Sequence, residues 1–147
     1  MLSPPFSFDD IMEPLGAERF LAEYENQKPL HLKGAADKFA EMMSWAKLDQ
    51  LLDQTSIWSQ ESLRLMLDKV AVPPSDYCSS ARNRDGVPAL LPDPDKVQEL
   101  IRRGATLIAN DIGRLNPGLY AFSKAMHDGL GAKVDANLYM SSRRRPG

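Results

Sequence analysis

Cysteine is nearly absent from this 147-residue chain, and Cys78 alone cannot form an internal disulfide, which fits a reducing compartment. Histidine is almost as scarce. His31 and His127 are the only two, and neither has partners at the spacing of a zinc site. No apolar run is long enough to span a bilayer. The opening Met1-Leu2-Ser3-Pro4-Pro5 shows neither the basic leader nor the apolar core of a secretory signal. A glycine-rich phosphate loop and a Gly-x-Ser-x-Gly elbow are both missing. The formal net charge of −2 exerts no global pull on nucleic acid. Arg102-Arg103 suits the dipole at the end of a helix. Arg143-Arg144-Arg145 reads as a solvated tail, with a ribosome or RNA contact as the sharper alternative. The expectation is a cytoplasmic protein with no membrane segment and no nucleic-acid partner.

What is present is the composition of a globular domain: 43% hydrophobic and 26% charged residues, in a length that supports one core. A single domain over residues 1–147 is expected, mainly helical over 1–60. Ser7 is placed to cap a short helix with Asp9 and Asp10 in its first turn, closed by Pro14. Phe20, Leu21 and Tyr24 mark a second helix that Asn26 ends. Residues 28–33 alternate, which predicts a first strand with Leu30 and Leu32 inward and His31 outward. Phe39, Met42, Met43 and Trp45 run into a helix carrying Leu48, Leu51 and Leu52. Such positions belong to core far more often than to a cofactor site.

Leu63, Leu65 and Leu67 alternate with Arg64, Met66 and Asp68, so a strand is expected with Arg64 on the face opposite the leucines. From Val70 to Pro94 the prolines and the Asn83-Arg84-Asp85-Gly86 turn signal predict a long irregular loop, facing a substrate or poorly ordered. A helix over residues 95–103 then packs through Val97, Leu100 and Ile101.

Residues 104–142 carry the clearest grammar in the chain. Ala105 to Ala109 predicts a strand buried on both faces. Asn116 caps the next helix, with Pro117 at its first position, Leu119, Phe122, Met126 and Leu130 on one side and Gly131 as its stop. A second strand follows over residues 133–140. Val134, Ala136, Leu138 and Met140 share one face, and Lys133, Asp135, Asn137 and Tyr139 the other. That polar face can look at solvent or line a polar cavity, and pattern alone leaves both open.

GATLIANDIGRLNP, a helix and then AKVDANLYMSS resemble the stretch leading into the catalytic core of the JmjC-type cupin oxygenases, the cupin-4 or ribosomal-oxygenase-like family of iron(II)- and 2-oxoglutarate-dependent enzymes. Phe20 to Tyr24 with Gln27 to Leu32 is similar to that family's N-terminal signature. Leu63-Arg64-Leu65, Val72-Pro73-Pro74 and Tyr77 are similar to its middle.

The resemblance implies an α+β chain in which a helical N-terminal subdomain leads into the first strands of a truncated double-stranded β-helix, the jelly-roll or cupin barrel, over residues 61–147. It implies a protein hydroxylase in full-length form and assigns Asn137 and Tyr139 to its 2-oxoglutarate-facing Asn-x-Tyr pair. The family's His-x-Asp and distal His, which hold iron, are absent, and His31, His127 and Asp111 have no spacing to replace them. Neither iron(II) nor 2-oxoglutarate is therefore expected to bind this chain tightly. Protein substrates or ribosomal proteins are the implied partners. The edge of the 133–140 strand predicts self-association, and a non-catalytic interaction or dimerisation module is the alternative reading.

Overall fold

The computed structural model describes residues 5–142, an α+β chain, 39% helical and 18% strand, whose sheets are antiparallel. It divides into two compact units interleaved in sequence, one from the described residues of Met1–Ser44 with Gly113–Asp135 and one from those of Trp45–Ile112 with Ala136–Gly147. A boundary near residue 60 does not describe this division. The long helix over residues 117–130 shares a core with the N-terminal helices.

In the first unit, α1 (Phe8–Met12) starts at the predicted cap. The Ser7 hydroxyl accepts from Asp10 N–H at 3.2 Å, and the Asp10 carboxylate accepts from Ser7 N–H at 2.6 Å, a reciprocal capping box. That bond to the Ser7 backbone, then the one to its hydroxyl, holds the Asp10 carboxyl below the usual carboxylate range. At the other end of α1, the Lys38 ammonium donates to the carbonyls of Ile11 and Glu13 at 2.7 and 2.8 Å. Next comes α2 (Ala17–Glu23), and α6 (Pro117–Leu130) closes the unit.

Asn116 caps α6 by accepting from Leu119 N–H at 2.8 Å, and Gly131 ends it in the left-handed region. Phe8, Ile11, Met12 and Ala125 form the core, with Phe20, Leu32, Phe122 and Met126 packed around them. Phe8 meets Phe20 edge to face at 5.9 Å.

The predicted first strand is absent. Residues 28–35 contain no helix, turn or ladder. Burial still alternates as foreseen, Leu30 and Leu32 half-buried and Lys28, His31 and Lys33 exposed. Alternation fixes which side chains face inward, but a strand also needs a hydrogen-bonded neighbour, and none comes from the described residues.

The second unit opens with α3 (Trp45–Asp53), whose Leu48, Leu51 and Leu52 are buried. Its four-stranded sheet has the order β2-β1-β5-β6. These strands are β1 (Leu63–Leu67), β2 (Val70–Ala71), β5 (Thr106–Ala109) and β6 (Leu138–Ser141). Asp68 and Lys69 join β1 to β2 with φ of +50° and +67°, the pattern of a two-residue I′ turn made without glycine. The absence of an Asn-Gly or Asp-Gly signal hid this hairpin from the sequence.

Leu63, Leu65, Leu107 and Ala109 are fully buried on one face of the sheet, over which α5 (Pro94–Arg102) packs on β1 and α3 packs on α5. Thr106 and Ile108 are only half-buried, so β5 is covered on one face rather than two.

The expected irregular loop is a structured ribbon. After α4 (Pro74–Tyr77), β3 (Cys78–Arg82) pairs with β4 (Pro88–Pro92). Its prolines are compatible for a geometric reason. Asn83 N–H bonds to Val87 C=O at 2.9 Å and Asp93 N–H to Tyr77 C=O at 2.8 Å. By alternation, Pro88 and Pro92, opposite Arg82 and Cys78, sit at non-hydrogen-bonded positions where a missing donor costs nothing. The predicted turn closes the ribbon, with Gly86 at φ +79° and Asn83 Oδ1 accepting from the N–H groups of Asp85 and Val87.

Candidate functional site

The residues singled out by the Asn-x-Tyr spacing lie at the outer strand of the four-stranded sheet. Register fixes their neighbours. Leu63, Ala109 and Leu138 form one cross-strand row and Leu65, Leu107 and Met140 another, both on the covered face. On the opposite face Arg64, Ile108 and Tyr139 form a row, and Met66, Thr106 and Ser141 the next. Tyr139 is 65% exposed, and Arg64 is exposed two strands away, roughly 10 Å off at sheet spacing. Ile108 makes an apolar floor between a phenol and a guanidinium.

Exposure alternates through residues 133–140 as predicted, although the ladder itself begins only at Leu138. Asn137 precedes it and is tied to the protein's own backbone. Its side-chain oxygen accepts from Asp111 N–H at 3.2 Å, and beside it Ile112 N–H donates to Ala136 C=O at 3.0 Å. Asp111 has φ +51°, a left-handed turn that Asn137 helps to hold. The Asn137 amide N–H₂ takes no part in that bond and remains able to donate.

The remaining candidates are dispersed. His31 is exposed in the first unit. His127 is exposed on α6 with Nδ1 at 2.7 Å from Ala132 C=O. Among the described residues no group of three His, Cys, Asp or Glu side chains is placed to hold a metal ion. The residues present therefore do not fit the two-imidazole, one-carboxylate set that iron requires. Cys78 is buried, and burial pushes its thiol up, the reverse of an activated nucleophile. Tyr77 is buried with its hydroxyl donating to Leu63 C=O at 3.3 Å, a structural role. No described helix is long and apolar enough to cross a membrane. The basic tail, residues 143–145, lies outside the described residues.

A second feature escaped the sequence reading. In the first unit, residues 28–35 border a groove of about 960 Å³. Ile11, Phe20, Phe39, Phe122 and Met126 give it apolar walls. The alternation of residues 28–33 was the signal that could have found it, since a half-buried extended segment must lean on something apolar.

No family model, no curated protein and no solved structure matches this chain.

Proposed function

We propose that the chain is the N-terminal portion of a JmjC/cupin-like 2-oxoglutarate-dependent protein hydroxylase, its antiparallel sheet forming the first strands of a double-stranded β-helix. In this reading the sheet face bearing Tyr139 contacts the 2-oxoglutarate-binding region of the assembled cytoplasmic enzyme, and the substrate is a protein side chain such as one on a ribosomal protein.

What supports the reading is the row Arg64, Ile108, Tyr139 on an open sheet face, within two stretches whose sequences resemble that family. A guanidinium offers a carboxylate two parallel donors, a phenol offers one more, and the isoleucine between them accommodates a short methylene chain. The bound iron of such enzymes supplies oxygen activation, and the described residues do not fit it. This chain's own share is confined to holding and orienting a small dicarboxylate.

A backbone-amide NMR titration with 2-oxoglutarate, without metal, tests this. Shifts confined to Arg64, Ile108, Asn137 and Tyr139, lost in Arg64→Ala, support it. An unchanged spectrum at millimolar ligand overturns it. In parallel, the chain with iron(II), ascorbate, oxygen and 2-oxoglutarate is expected to form no succinate above a no-protein control. Stoichiometric iron binding with succinate formation would return His31 and His127 to consideration as ligands.

The alternative, a non-catalytic interaction or dimerisation module, is favoured by one observation: β6 ends the sheet with an unpaired edge among the described strands. Concentration-dependent mass together with silence toward 2-oxoglutarate would select it.

A further inference from the structure

Residues 29–34 are the longest stretch of the first unit whose backbone makes no hydrogen bond within the described residues. From Pro29 to Gly34 no N–H donates and no C=O accepts. Backbone groups in an ordered segment are nearly always paired, with protein or with water, so a six-residue run left to water alone is an edge ready for pairing.

The run is nevertheless held in place. Leu32 packs against the first-unit core, and Leu30 is half-buried beside it. Just outside its two ends the chain is fixed by local bonds, Lys28 N–H to Tyr24 C=O at 3.2 Å and Lys38 N–H to Ala35 C=O at 3.1 Å. A strand arriving here meets a partner that is already ordered, which lowers the conformational cost of binding.

We propose that residues 28–34 are a docking edge for an extended segment of another protein, in which apolar and acidic side chains alternate. Three features select this occupant. Main-chain pairing demands an extended backbone, because only that conformation presents its N–H and C=O groups in ladder register. The groove of about 960 Å³ along the edge, with Phe39, Phe122 and Met126 in its walls, accepts every second side chain if those are apolar. His31 and Lys33 alternate with the half-buried leucines, and Lys28 stands at the start of the edge in register with Leu30; all three are exposed and border the groove. Lys28 lies over the Tyr24 ring at 4.5 Å, and neither lysine has an ion-pair partner among the described residues. Opposite Lys33, and beside Lys28 at the end of the edge, carboxylates on the incoming strand complete cross-strand ion pairs.

Glu13 and Glu25 line the groove together with Lys28, His31 and Lys33, so the acidic preference is local to the positions facing Lys28 and Lys33. The same cations disfavour a second copy of this chain, whose own edge would bring lysines and histidine against their like. This inference does not depend on the 2-oxoglutarate reading.

The test is fluorescence anisotropy of a labelled ten-residue peptide alternating valine and glutamate, titrated with the full chain. Saturable binding that weakens with salt is expected, with none for the valine–lysine counterpart. N-methylation of alternate backbone amides abolishes binding when placed on the pairing edge and spares it on the other. Hydrogen exchange slows in the complex at alternate amides, either Leu30 with Leu32 or His31 with Lys33. Lys28→Glu with Lys33→Glu, both exposed and harmless to folding, inverts the preference toward the basic peptide. Three outcomes overturn the proposal: no saturable binding of the acidic peptide, equal binding of both N-methylated forms, or protection that falls on β6 instead of on residues 30–33.

Discussion

Gly129 sits one residue before the end of α6, where replacement by alanine would ordinarily help. Alanine is favoured over glycine within a helix by up to about 1 kcal/mol, and less in the last turn, where fraying dilutes the gain. Here the added methyl has nowhere to go. A Cβ at residue 129 would lie 2.1 Å from Phe8 Cγ, 2.4 Å from Phe8 Cδ1 and 2.5 Å from Phe8 Cβ. All three are far inside van der Waals contact, and none is the free end of a flexible chain. Phe8 is 7% exposed and is held edge to face against Phe20, so its ring cannot swing away without opening the core.

Overpacking of this kind typically costs about 1–3 kcal/mol, which exceeds the propensity gain. Gly129→Ala is therefore expected to destabilise the protein by about 1–2 kcal/mol in urea unfolding followed by circular dichroism. The decisive measurement is the double-mutant cycle. Phe8→Ala alone should cost about 3–5 kcal/mol as a core truncation, and in that background the cost of Gly129→Ala should shrink, because Phe8 Cγ and Cδ1 are gone and only the Cβ at 2.5 Å remains to be relieved by a small shift. A stabilising Gly129→Ala in the otherwise unaltered chain, or additivity of the two changes, would refute the argument.

Leu65→Ala, at a side chain 1% exposed, is expected to cost about 2–5 kcal/mol, whereas Leu138→Ala on half-buried β6 should cost clearly less; equal losses in urea unfolding would contradict the register. The Asp93 carboxylate is held below its ordinary value of 3.8, first by the Ser79 hydroxyl at 2.9 Å and then by the amides at the start of α5. A depressed folded-state value means that its contribution is complete above about pH 4 and is lost as pH falls through the lower folded value, so Asp93→Ala should cost about 1 kcal/mol at neutral pH and progressively less in acid. A pH-independent difference between the two proteins would exclude that linkage. Tyr139→Phe should leave stability unchanged, since the exposed hydroxyl has no partner among the described residues. The open edge of β6 is expected to give mass that rises with concentration in size-exclusion chromatography with light scattering, and a monomer at every accessible concentration would count against it.

Local chemistry was legible in the sequence wherever the deciding contacts lie within a few residues. Ser7, Asn116, Pro117 and Gly131 set the ends of α1 and α6 because a cap bonds only to its own first or last turn. Val97, Leu100 and Ile101, and the alternation through Leu63, Leu65 and Tyr139, reported which side chains turn inward because that follows from the period of the backbone alone. Pairing was decided only in three dimensions. Residues 28–33 have a strand's pattern and no ladder, while the proline-rich stretch after Tyr77 has a ladder the pattern concealed, its prolines falling where no donor is required. The row Arg64, Ile108, Tyr139 likewise exists only by register between strands as many as 75 residues apart along the chain. Periodicity tells a side chain which way to face, and only the neighbouring strand tells it what stands beside it.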